Sequence, residues 1–112
     1  MVCIENEIDD LMVITLKGKL IVEEETEQLH TCIKSVLTRD INKIILDLKN
    51  LSRISSLGIG AIMRALTIVR NADGDLRLAG LDPNVKNIFE ITKLIGIIQI
   101  FDQHDQAIAS FT

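Results

Sequence analysis

Ser55 and Ser56 are the residues of this chain best placed to do chemistry. They stand between a polar stretch, Lys49-Asn50-Leu51-Ser52-Arg53, and an apolar run that begins Leu57-Gly58-Ile59-Gly60-Ala61. Upstream, Ile44-Ile45-Leu46-Asp47-Leu48 has the two-sided apolar character of a central strand covered on both faces. A hydroxyl placed just past such a strand, at the start of a helix, sits among unpaired backbone N–H groups and at the positive end of the helix dipole, so anions are favoured there. A phosphoryl group on either serine would be tolerated by the fold and would change the local charge by about −1.5 to −2. Ser55 reads as the N-cap, its oxygen accepting from a backbone N–H. Ser56, in the first turn, then offers its hydroxyl to a kinase, with Ser55 as the second candidate. The sequence holds no G-x-S-x-G elbow, phosphate-binding loop or dinucleotide fingerprint. The pattern is that of a serine switch on a small binding module, not of an enzyme active site, and no cofactor is implied.

The remaining candidates are weaker. His30 and His104 are isolated and have no ligand partners at metal spacing, so no metal site is expected. Cys3 and Cys32 are far apart in sequence and read as reduced thiols with packing roles. Asp9-Asp10 and the strand-end Asp47 invite comparison with phospho-accepting receiver domains, which gather such carboxylates around Mg²⁺. A receiver needs a helix after the acidic pair, but here Leu11 to Leu16 alternate as a strand, and the only proline is Pro83, so no Lys-Pro follows the last strand.

The elements that must position the serines follow from periodicity. Val2, Ile4 and Ile8, then Met12, Ile14 and Leu16, alternate with their neighbours about Asp9-Asp10, which predicts an N-terminal hairpin ended by Gly18. Glu23-Glu24-Glu25 suit the first turn of a helix carrying Leu29, Cys32, Ile33, Val36 and Leu37 at helical spacing. A second helix is predicted from about Ser56 to Asn71, with Ile59, Ile62, Met63, Leu66 and Val69 toward the sheet. Gly58-Ile59-Gly60 reads as close helix-to-sheet packing. Leu57, Ala61, Arg64 and Ile68 fall on the opposite arc. That arc is either a partner-binding patch adjoining Ser55 and Ser56 or a face packed on a neighbouring helix. As a patch it would tolerate Ile68→Glu with little loss of stability. Leu76 and Leu78 mark a strand, Asp82-Pro83 the start of a third helix, Ile97 to Phe101 another strand, and Asp102 or Asp105 the cap of a last helix. The order β-β-α-β-α-β-α-β-α predicts a single α/β domain over residues 1–112. Its sheet would be mostly parallel, with four or five strands, an N-terminal hairpin and about four helices.

Composition narrows the function classes. The 112 residues form one domain-sized core, 47% of them hydrophobic. With 3% aromatic residues and a net charge of −4, the chain lacks both stacking platforms and a basic face, which argues against nucleic acid or anionic lipid as a direct partner. No apolar run reaches the ~18 residues that span a bilayer, and the N-terminus has no basic, signal-like start. A cytoplasmic location is expected, and a homo-oligomer is compatible with the sequence.

With these residues in view, the chain resembles the STAS domain family, whose best-studied small members are bacterial anti-sigma-factor antagonists. Leu46-Asp47-Leu48 followed by Ile54-Ser55-Ser56-Leu57-Gly58-Ile59-Gly60-Ala61 is similar to the family pattern D-L-x-x-[LV]-x-x-[IM]-D-S-[SA]-G-[LI]-G. Leu16-Lys17-Gly18-Lys19-Leu20 and Leu76-Arg77-Leu78-Ala79-Gly80-Leu81 match its flanking pieces, and the likeness covers nearly the whole chain. The resemblance places Ser56 at the phospho-accepting position. Ser55 stands where the family commonly has an acidic residue, and Leu57 where it has Ser or Ala. The resemblance implies an anti-sigma factor with serine-kinase activity as the partner, engaged by partner switching. The alternative is a non-switching scaffold subunit of a sensory assembly or of a membrane transport complex.

Overall fold

In the computed structural model, which describes residues 1–111, the chain opens with a hairpin. Strands β1 (Val2–Ile8) and β2 (Leu11–Leu20) pair antiparallel about Asp9, whose left-handed φ of 55° makes the tight turn. Aspartate tolerates that conformation better than most side chains. Helix α1 (Glu23–Leu37) follows, then β3 (Lys43–Asp47), β4 (Leu51–Ile54) and α2 (Ser56–Asn71). The chain ends with β5 (Asp75–Ala79), α3 (Pro83–Ile91), a short 3₁₀ turn at Leu94–Gly96, β6 (Ile100–Phe101) and α4 (His104–Ala109). The sheet order is β1-β2-β3-β5-β6, with every pairing after the hairpin parallel. The expected α/β architecture with its N-terminal hairpin is observed, and the described residues form four helices and six strands.

Alternation along the strands sorts side chains into two cores. Met12, Ile14 and Leu16 of β2, Ile44 and Leu46 of β3, and Leu76 and Leu78 of β5 face α1, α2 and Phe89 of α3 in the larger core. Leu11, Val13, Ile45 and Ala79 point to the other face, where Ala107 of α4 covers them. Each fully buried aliphatic side chain contributes about 1.5–3 kcal/mol, so the two-sided burial of β2 and β3 makes them the rigid spine. Pro83 occupies the first turn of α3 behind the Asp82 cap, as the sequence predicts.

The differences from expectation have local causes. Strand β2 does not stop at Gly18. Its φ of 108° and a register shift between Gly18 and Lys19 carry the strand on to Leu20. That extension supplies the partner for β4, which the sequence hides because Ser52 and Arg53 are exposed and only Leu51 and Ile54 are apolar. Ser52 Oγ donates to Gly18 O at 2.9 Å and fastens the added strand. The last strand is confined to Ile100–Phe101, because Leu94–Gly96 form a 3₁₀ turn and Ile97 is exposed. Helix α4 is capped at Gln103 and not at Asp102 or Asp105; the Gln103 N–H donates to Gln106 Oε1 at 3.1 Å.

Candidate functional site

Strand β4 delivers the two serines. The Ser55 N–H donates to Leu20 O at 3.1 Å, and Ser55 Oγ donates to Ile21 O at 2.7 Å, so the end of β2 fixes the turn. The same Oγ accepts from Gly58 N at 3.1 Å, which makes Ser55 the N-cap of α2. Its hydroxyl therefore both donates and accepts within the fold. The Ser56 side chain is exposed and has no protein hydrogen-bond partner among the described residues. The first turn of α2 carries no acidic residue, so its dipole is uncompensated at the point where Ser56 projects. Ser55→Ala should lower stability by about 1–2 kcal/mol, because both bonds to a part-buried hydroxyl go at once. Urea unfolding should show a lower midpoint at unchanged slope.

Ser56 opens into a groove of about 830 Å³ between α1 and α2. Both helices follow a parallel crossover and run in the same direction, so their N-termini lie at one end. Glu23 and Glu27 line the groove toward that end, with Ser56 and Leu57 opposite, and Lys34 and Arg64 line it further along. Midway, His30 Nε2 donates to Ala61 O at 3.0 Å and clamps the helices together. His30 thus lines the site, which its isolation in sequence concealed.

The predicted arc on α2 divides. Leu57 is 51% exposed and Arg64 is exposed, both on the groove. Ala61 is only 5% exposed, because α1 packs across it. Ile68 is half-buried against the larger core. The apolar sector of α2 is wider than the sheet alone requires because α1 flanks it, and the small side chains of Ala61 and Ala65 face that crowded side. Ile68→Glu should therefore cost roughly 1–3 kcal/mol through burial of a charge. Leu57→Glu should stay within about 0.5 kcal/mol. Thermal denaturation of the two variants checks the ordering.

The carboxylates that could have made a cation site do not converge. Asp10 ion-pairs with Lys43 at 2.7 Å at the start of β3, and the adjacent ammonium holds its carboxyl below the ordinary carboxylate range. Asp47, 2% exposed at the other end of β3, accepts from Lys49 N at 3.1 Å and lies 3.5 Å from His104 Nδ1. Among the described residues no three His, Cys, Asp or Glu side chains are grouped to hold a metal ion. None of the described helices is long and apolar enough to cross a membrane.

Residues 4–107 match the STAS domain family, and the chain belongs to it. BtrV of Bordetella bronchiseptica, a relative named for anti-sigma factor antagonism, is 27% identical over 106 residues, 95% of this chain and 90% of BtrV. The fold is shared with TM1081 of Thermotoga maritima at a TM-score of 0.87 and 22% identity, covering 96% of this chain and 92% of that one. It is also shared with the unphosphorylated anti-sigma factor antagonist SpoIIAA at a TM-score of 0.74 and 20% identity, covering 98% and 97% of the respective chains.

Proposed function

We propose that this protein is an anti-sigma-factor antagonist that works by partner switching. In the unmodified state it binds an anti-sigma factor with serine-kinase activity through the groove between α1 and α2, and so releases a sigma factor. The kinase transfers the γ-phosphoryl group of ATP to Ser56 Oγ, which loses its proton, and ADP departs. The phosphorylated surface binds less well. The role is one of binding, and the chemistry belongs to the partner.

The observation that carries this reading is the contrast between the two serines. The Ser55 hydroxyl is committed to Ile21 O and Gly58 N, whereas the Ser56 hydroxyl is exposed at the mouth of the groove. A phosphate on Ser56 would share the groove with Glu23 and Glu27 and would lie at the favourable end of α2. The fold accommodates it while the partner meets a more negative surface. Leu57 and Arg64 supply an exposed apolar contact and a charged rim beside it.

Incubation with the cognate kinase and ATP, followed by phosphosite mapping by mass spectrometry, tests the assignment. Stoichiometric modification of Ser56 is expected. Modification at Ser55 or Ser52 with none at Ser56 would overturn it. A protein that binds its partner and is never modified would instead fit the scaffold subunit of a sensory assembly or of a transport complex.

A further inference from the structure

The fold brings together two cysteines that lie 29 positions apart in the chain. Strand β1 is the sheet edge, and alternation sends Val2 and Ile4 to one face, where both are exposed, and Cys3 and Glu5 to the other. Cys3 registers with Leu16, which is fully buried in the larger core. Cys32 projects from α1 onto the same strip of β1. Its Sγ donates to Glu5 Oε2 at 3.6 Å, which places it beside Cys3, the neighbouring residue on that face of β1. Both thiols are half-buried, free and packed against the core, so each is held in place while remaining reachable.

We propose that Cys3 and Cys32 are a peroxide-responsive thiol pair that closes to an intramolecular disulfide joining edge strand β1 to helix α1. Cys3 is the attacking sulfur. The adjacent Cys32 side chain holds the Cys3 thiol below its ordinary value. Cys32, the other half of the pair, is the resolving thiol and gives up its proton to the departing hydroxide as it attacks. The Cys3 thiolate attacks hydrogen peroxide; an S–O bond forms, the O–O bond breaks and hydroxide leaves. Cys32 then attacks the sulfenic sulfur; the S–S bond forms, the S–O bond breaks, and the second hydroxide departs as water with the Cys32 proton. Two thiols are oxidised, one peroxide is reduced, and two waters result. The bond would fix the helix that forms one wall of the Ser56 groove, since Thr31 and Lys34 on that wall flank Cys32 in sequence.

The full chain, reduced and then treated with hydrogen peroxide, should lose about 2 Da, lose both titratable thiols and yield one Cys3–Cys32 cross-linked peptide, all reversed by dithiothreitol. Cys32→Ser should stop at a Cys3 sulfenic acid that dimedone traps. The oxidised wild type should melt roughly 5–10 °C higher, because the closed loop restricts the unfolded chain without distorting the native pair. Thiols that stay reduced, oxidation that runs on to sulfinic acid at Cys3, or disulfides that form only between molecules would overturn the pairing. A disulfide that forms but lowers the melting temperature would overturn the claim that it joins β1 to α1 in their native positions.

Discussion

Ser56→Asp should weaken binding to the cognate anti-sigma factor by roughly tenfold to a hundredfold, and Ser56→Ala should leave it within a small factor of wild type. An interaction change of about 3 kcal/mol corresponds to the upper figure. The carboxylate adds one negative charge, less than the −1.5 to −2 of phosphate, so the Asp variant sets a lower bound on the effect of modification. That charge enters a groove already lined by Glu23 and Glu27. The isolated fold should not object. Helix α2 has no acidic residue in its first turn, and a carboxylate there is worth about 0.3–1 kcal/mol in favour. Isothermal titration against the nucleotide-free partner gives the affinities, and denaturant unfolding gives the stabilities. If charge is the cause, the gap between Asp and Ala narrows as salt rises, since exposed charges are screened over about 10 Å at 0.1 M. Equal affinities for wild type, Ala and Asp would place the interface elsewhere. An Asp variant that is also several kcal/mol less stable would make the loss of binding a folding effect.

Much of this geometry is written in local sequence. The 3.6-residue spacing of Ile59, Ile62, Met63, Leu66 and Val69 names the sheet-facing side of α2; Met63 is half-buried against the core and the other four are buried. Asp82-Pro83 names the start of α3, and Ser55 the cap of α2. Each of those signals acts within one or two turns of chain. What was illegible depends on contacts between distant segments. Strand β4 exists because β2 continues past Gly18 and offers it a ladder; its own four residues have no alternation strong enough to announce it. Ala61 is buried because α1 lies across α2, a fact about helix neighbours that a single helical wheel does not contain. His30 and the cysteine pair were hidden for the same reason. His30 acquires its meaning from a carbonyl 31 residues away, and Cys32 from a strand at the opposite end of the hairpin's connection. The cap role of Ser55 was readable from position, but its second bond, from Oγ to Ile21 O, is one that no motif encodes.

Gly58→Ala should lower stability by about 3 kcal/mol, whereas Gly60→Ala, two residues along the same helix, should raise it by about 0.5–1 kcal/mol. The two glycines look alike in sequence and differ in what a methyl group would meet. At Gly58 an added Cβ collides with Leu20 O, lies 2.8 Å from Ile54 Cγ1 and is 3.0 Å from Leu20 Cγ. The closest of these is backbone at the fixed end of β2, so it cannot turn aside, and overpacking of this kind costs typically 1–3 kcal/mol and occasionally more. At Gly60 nothing lies within 4 Å, so alanine simply recovers the helix propensity that glycine forgoes. For a domain of this size the Gly58 change corresponds to a fall in melting temperature of roughly 10 °C or more. Differential scanning calorimetry on both variants decides the point, and equal effects would mean that α2 does not sit against Leu20 as described. The collision also bears on function. Relief requires the first turn of α2 to move away from β2, and that turn holds the Ser55 bonds to Leu20 O and Ile21 O. Under conditions where Gly58→Ala remains folded, Ser56 should therefore be phosphorylated more slowly than in wild type. An unchanged rate in the folded variant would show that the kinase reads the serine hydroxyl without the rigid strand-to-helix joint that presents it.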